Sequence, residues 1–255
     1  MSAAGRIRTI VAPILFGLVA LALWQAAVVA FQLKPFVVPS PLAIGEQFAA
    51  RFDVVWAASL GTARNALVGL AIGVVLAVVW ALLAAAARPL DELSAPLVTA
   101  LSVIPIVALA PVLYAMFGAS AETARQIVAA IAVFIPVFVN TLRGLRTVRP
   151  IHRDLMRAYA ASGWQLARTV TLPGALPFFF TGVRVASSLA VISALVAEYF
   201  GGPVSGLGKA ITSAVSSSNY PLAWAFVLGA ILTGLVFYCV TFALEAVAAS
   251  HRRPG

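Results

Sequence analysis

The sequence predicts an all-α membrane protein with six transmembrane helices. Three observations lead there. Of 255 residues, 62% are hydrophobic and only 10% charged, with a mean hydropathy of +1.04, far from the balance of a water-soluble domain. The apolar residues stand in continuous runs, and about 20 residues at 1.5 Å each cross the hydrocarbon core; unbroken rather than alternating runs disfavour a β-barrel. Finally, a six-span topology puts eleven of the seventeen basic residues on one side of the membrane: Arg6, Arg8, Arg88, six arginines between residues 143 and 168, Arg252 and Arg253. Short loops rich in Lys and Arg stay in the cytoplasm, so both termini are expected there. The net charge of +9 thus follows from topology rather than from nucleic-acid binding.

The elements follow in order. Residues 10–31 form the first span, a retained anchor, because the apolar run exceeds the usual 7–15 residues of a signal peptide. Residues 32–56 are a polar interlude on the outside. Pro35, Pro39 and Pro41 keep its start extended. Ser40-Pro41 then reads as a helix cap followed by Pro at the first position, opening a short interfacial helix over 42–52. Residues 58–87 are the second span, with Gly69 and Gly73 four apart on a small-residue face that suits close helix packing, within the chain or between copies. Arg64 lies near its outer end, within snorkelling reach of the interface.

Residues 88–92 read as a tight inside turn. The third span, 93–117, contains Pro96, Pro105 and Pro111. Prolines in a span kink it and free carbonyls, which marks Pro105 and Pro111 as candidates to line a pathway. After an outside loop over 119–125, the fourth span, 126–142, adds Pro136 and Asn140 near its inner end. The fifth, 178–200, carries Arg184 and Glu198. Intramembrane charges usually face the bundle or water, but both lie within two turns of an end, where snorkelling competes with a pathway role for Glu198. An outside loop over 201–221, rich in Gly and Ser, leads to the sixth span, 222–247, and an inside tail. Cys239 lies mid-span and reads as a small buried apolar residue.

Between spans four and five comes the one long polar stretch, residues 143–177, with Arg143, Arg146, Arg149, Arg153, Arg157 and Arg168 against a single acid. Pro150 suits a helix start. Ile151, Leu155, Met156, Tyr159 and Ala160 recur at helical spacing, giving one apolar and one charged face. Ser162-Gly163 interrupts this helix, and a second short one, 164–172, ends at Pro173-Gly174. The arrangement reads either as a docking element or as a basic loop held at anionic lipid.

Hydrolytic chemistry finds no support. Gly208-Lys209 suggests a phosphate loop, but Pro203 stands where the first Gly is required and Ala210 where Ser or Thr must hold Mg²⁺. Neither H-E-x-x-H nor G-x-S-x-G occurs. The two histidines, His152 and His251, do not suggest a metal site.

The stretch 143–177 resembles the cytoplasmic coupling loop of ABC-importer permeases, whose motif reads EAA–x3–G–x9–I–x–LP. In that alignment Asp154 takes the acidic position, Leu155 and Met156 the alanines, Ala160 the glycine, Val170 the β-branched position, and Leu172-Pro173 the LP. Asp for Glu, two larger residues for alanine and Ala160 for Gly are departures, so the bend belongs either to Ala160 or to Gly163. R-A-Y-A-A-S-G-W, ending at Trp164, resembles the nitrate/sulfonate/taurine branch. Ser59, Leu60, Thr62, Arg64 and Gly69, the run over 104–111 with Phe117-Gly118, and G-L-G at 206–208 resemble further family motifs in the family's order. A-E-Y-F-G-G-P at 197–203 resembles relatives assigned to thiamine-precursor pyrimidines or riboflavin.

The resemblance implies a type I ABC-importer permease fold: an N-terminal segment (1–57), a permease domain (58–247) with its coupling loop at 143–177, and a tail (248–255). It implies a subunit without catalysis or bound cofactor of its own, working with a cytoplasmic ABC ATPase dimer that uses ATP and Mg²⁺. A second permease copy, usually the same chain, and an extracytoplasmic substrate-binding protein complete the assembly in a bacterial inner membrane. It places Arg153, Asp154, Leu155, Met156, Arg157, Tyr159, Ala160, Gly163, Trp164, Leu172 and Pro173 at the ATPase contact. The implied cargo is a pyrimidine precursor or riboflavin, with nitrate, sulfonate or taurine as the alternative. A secondary transporter working without an ATPase is the rival of another class. It usually has inverted repeats and mid-span ionisable residues, which are not evident.

Overall fold

The computed structural model describes residues 3–118, 120–147, 150–201 and 205–250. Arg149, Pro203, His251, Arg252 and Arg253 lie outside them. The described residues form helices and turns with no strand, as continuous apolar runs require when backbone groups must be satisfied without water.

The helices are α1 (Ala3–Ala30), α2 (Pro41–Ala50), α3 (Phe52–Ala86), α4 (Arg88–Val103), α5 (Ile106–Phe117), α6 (Thr123–Arg146), α7 (Pro150–Ala158), α8 (Gly163–Leu166), α9 (Leu172–Phe200), α10 (Leu207–Ser216) and α11 (Tyr220–Ser250); a π-helical turn, Ala167–Thr171, joins α8 to α9. Five helical segments are long and apolar enough to span a membrane by themselves, and α4 with α5 is a sixth if the bent pair is one span. The core is α6 held between α3 and α9. Small side chains make that possible: Ala66, Ala77, Ala81, Ala129, Ala186, Ala190 and Ala194 are buried with Val133 and Val137. A Cβ on Gly69 would lie 2.4 Å from the Ala129 Cβ, and one on Gly73 2.6 Å from the Ala130 carbonyl oxygen. The Gly69/Gly73 face therefore seats α6 of the same chain and is not an exposed dimer stripe.

Helix α1 stands apart, with 6% of its apolar window buried. Among the described residues its ties lie near its C-terminal end, where Trp24 meets Trp224 edge-on at 5.7 Å and the Leu42 N–H donates to Gln25 Oε1. The predicted cap of α2 is present: the Ser40 hydroxyl accepts from the Ala43 N–H, and Pro41 opens the helix.

Five expectations about the helices need correction. Cys239 is not buried but exposed. The third span is not one kinked helix: α4 and α5 meet at 89°, because Pro105 follows Ile104, which it holds in extended conformation (φ −64°, ψ 120°). Residues 88–92 are not a turn but the start of α4, with Pro89 in its first positions, where a missing N–H costs nothing. The loop 201–221 contains a helix, α10, whose Leu207, Gly208 and Ala214 are buried. The run from 164 does not end at Pro173-Gly174: Gly163–Phe200 is one continuous apolar segment. Its π turn bonds the Leu172 N–H to the Ala167 carbonyl, five residues back, a widened turn that admits the following proline.

Candidate functional sites at the two ends of the bundle

At the basic end, α6 runs out through Arg143 and Arg146, where cations complement the helix C-terminus. Arg146 is ion-paired with Asp91 at the start of α4. Helix α7 then buries none of its side chains in the chain. Ile151, Leu155 and Tyr159 are 70%, 54% and 77% exposed, and Trp164 beyond them 69%. Arg157 reaches Asp154 one turn back at 3.5 Å, and Arg153 is exposed. The sequence-predicted coupling residues from Arg153 to Trp164 thus share one segment, apolar on one side and charged on the other.

The bend belongs to Ala160. Its φ is +51°, the Ala161 N–H donates to the Met156 carbonyl, and the Ala160 N–H to the Arg157 carbonyl. These are the two bonds of a Schellman cap, whose left-handed position favours glycine. Gly163 instead opens α8, behind a reciprocal capping box of Ser162 and Gln165. Alanine in the left-handed region costs about 1 kcal/mol more than glycine. Ala160→Gly is therefore expected to tighten the loop, slowing amide exchange at residues 158–162 about five-fold; unchanged exchange would show the cap to be unstrained. Leu172 and Pro173 sit where the π turn enters α9.

The pathway candidates do not form one group. Pro105 and Pro111 are exposed on the bent pair. Pro136 and Asn140 are half-buried on α6, the Asn140 amide donating to the Pro136 carbonyl. Glu198, expected at a snorkelling position or on a pathway, is fully enclosed instead. Its Oε2 accepts from the Thr62 hydroxyl at 2.7 Å and from the Gly208 N–H at 3.0 Å, and its Oε1 lies 3.6 Å from Arg125 Nη1. Thr62 in turn accepts from the Leu207 N–H. The carboxylate thus caps the start of α10, where helix dipole and free N–H groups favour a negative charge. A Cβ on Gly206 (φ +128°) would lie 2.5 Å from the Glu198 carboxyl carbon, so only glycine fits there.

Arg125, expected in an outside loop, is in the first turn of α6 with no exposed side chain. It donates to the Ser205 carbonyl at 2.7 Å and to the Tyr114 hydroxyl at 3.3 Å, and Tyr114 donates to the Ala197 carbonyl. Alongside, Gln126 donates to Asn65 at 3.2 Å. One buried polar cluster therefore locks α3, α5, α6, α9 and α10 together at the end opposite the basic segment. Arg125 and Glu245 were the residues the sequence reading missed. The available signal was periodicity: Arg125 lies on the stripe of Val128, Ala129, Ala132 and Val133, all buried. Two other span arginines are also paired. Arg184 meets Glu245 of α11 at 3.1 Å beneath Tyr238 and Phe242, and Arg64 lies 3.9 Å from Glu122. Among the described residues no cluster of His, Cys, Asp and Glu could hold a metal ion.

Comparison with known proteins places this architecture. The family model described as "Binding-protein-dependent transport system inner membrane component" matches residues 58–253. The riboflavin transport system permease protein RibX of Chloroflexus aurantiacus is 33% identical over 227 residues, covering 88% of this chain and 84% of that one. The formylaminopyrimidine transport permease protein ThiX of Halalkalibacterium halodurans is 28% identical over 242 residues, covering 94% and 96%. Among solved structures, an amino acid ABC transporter with histidines superposes with a TM-score of 0.65 at 14% identity, over 78% of this chain and 96% of that one. The MetNI methionine ABC transporter in an inward-facing conformation gives 0.63 at 18%, over 79% and 99%. The order of spans, the protruding loop after α6 and the family match over most of the chain agree: the chain belongs to the binding-protein-dependent inner membrane permeases, the membrane-spanning subunits of ABC importers.

Proposed function

We propose that this permease subunit docks a cytoplasmic ABC ATPase dimer through α7 and α8 and imports an uncharged heterocycle, a thiamine-precursor pyrimidine or riboflavin. The observation that carries the docking is the unpartnered apolar face of α7. Ile151, Leu155 and Tyr159 are exposed on a segment outside the apolar spans. A face of this kind fills a groove, with Arg153 and Arg157 placed to meet acids at its rim. The partner hydrolyses ATP, and this chain supplies the path. Nucleotide-driven closure moves α7; the π turn and α9 carry that motion into the bundle, and the far end opens to an extracytoplasmic binding protein. Two copies of the chain form the path in a bacterial inner membrane, with both termini cytoplasmic and the exposed prolines of the bent α4–α5 pair turned to the lumen.

The cargo reading rests on the relatives RibX and ThiX and on charge. Arg64, Arg125 and Arg184, all within spans, each have a carboxylate partner, which disfavours the arginine-lined path that nitrate or sulfonate would use.

The test is co-purification. A tagged chain, mildly solubilised from its native membrane, is expected to bring down an ATPase in stoichiometric amount, and Leu155→Glu with Met156→Glu to lose it. A chain that carries no ATPase yet transports in liposomes would overturn the reading in favour of a secondary carrier.

A further inference from the structure

A groove runs along the basic end of the bundle where α3, α6 and the start of α9 meet. It encloses about 310 Å³ and is lined by apolar stripes one turn apart on each helix, among them Val78 and Leu82, and Leu172, Leu176 and Phe179. Arg168, in the π turn and one turn ahead of Leu172, also lines it. It is exposed and has no ion-pair or hydrogen-bond partner among the described residues. Thr141 supplies the second observation. It lines the groove at 5% exposure, and its Oγ1 is buried without a hydrogen-bond partner. Thr181, Thr233 and Thr241, by contrast, each donate to the carbonyl four residues back.

We infer that this groove is a binding site for an anionic phospholipid. An exposed cation, an unsatisfied hydroxyl and apolar walls lining one groove match a phosphate headgroup, an ester carbonyl and an acyl chain. The site sits at a helix end, the depth at which a lipid presents those three groups, and one arginine there is drawn to the negative surface of an anionic leaflet. Seated against the π turn, the lipid braces the joint through which the α7–α8 segment connects to α9. The inference needs only the membrane location of the helices, not the ATPase pairing or cargo proposed above, so its failure leaves that reading intact.

The full chain in nanodiscs of phosphatidylcholine, doped with phosphatidylglycerol or phosphatidylcholine bearing a photoreactive acyl chain, tests this by mass spectrometry of labelled peptides. Phosphatidylglycerol is expected to label residues 168–179 about five-fold over phosphatidylcholine, the preference that ~1 kcal/mol from one arginine gives. Arg168→Gln, a change at an exposed side chain, is expected to abolish the preference. Thr141→Val is expected to lower labelling by both lipids, since both carry the ester. Excess inorganic phosphate is expected to change nothing. Equal labelling by the two lipids, a preference that survives Arg168→Gln, or competition by inorganic phosphate would each overturn the lipid site, the last in favour of a free anion.

Discussion

Arg125→Met is expected to cost about 3–5 kcal/mol, the penalty for leaving a buried charge without its partner. The substitution strands Glu198, whose carboxylate has no exposed atom through which to recover water. It also withdraws the donor that holds Ser205 and Tyr114. Thermal unfolding of the detergent-solubilised chain should show a much lower midpoint, with α10 detaching first. Arg125→Met combined with Glu198→Met should recover a large part of the loss, because two apolar side chains of similar volume tolerate the site that one charge cannot. A single variant as stable as the parent would mean that the cluster contributes nothing to holding the far end closed.

The second large effect is functional. Asp154→Lys with Met156→Glu is expected to cut transport roughly thirty-fold or more, the equivalent of a ~2 kcal/mol hot spot, while the spans keep their thermal stability. The reason is that α7 buries no side chain in the chain, so the altered face has no folding role. Glu198→Gln should reduce transport less than this pair does, since a glutamine still accepts from Thr62 and Gly208. Normal uptake by the α7 variant would count heavily against docking, and loss of stability would mean that α7 packs on its own bundle.

The two variants separate the two ends of the molecule. At the basic end the chain presents unsatisfied apolar surface on α7. At the far end it buries a polar network. A subunit that passes motion from one end to the other needs this asymmetry: a surface that waits for a partner, and a clamp that holds five elements as one body when it moves. The continuous segment Gly163–Phe200 connects them, carrying the π turn at one end and Glu198 at the other.

The sequence by itself determined the membrane class, the order of the spans and the position of the amphipathic α7. Each depends on local, one-dimensional signals: apolar run length, basic clustering, a helical period after Pro150. Only the tertiary structure decided the rest. Ala160 carries the bend because its neighbours close a Schellman cap around it, which propensity disfavours and hydrogen bonding overrides. Gly69 and Gly73 pack within the chain because α6 arrives opposite them. Arg125 and Glu198, 73 residues apart, read separately as a loop residue and a span-end charge. In a bilayer an isolated buried charge is prohibitive, so each could be enclosed only where folding brought it the other. That pairing is a property of two helices meeting, and neither segment alone records it.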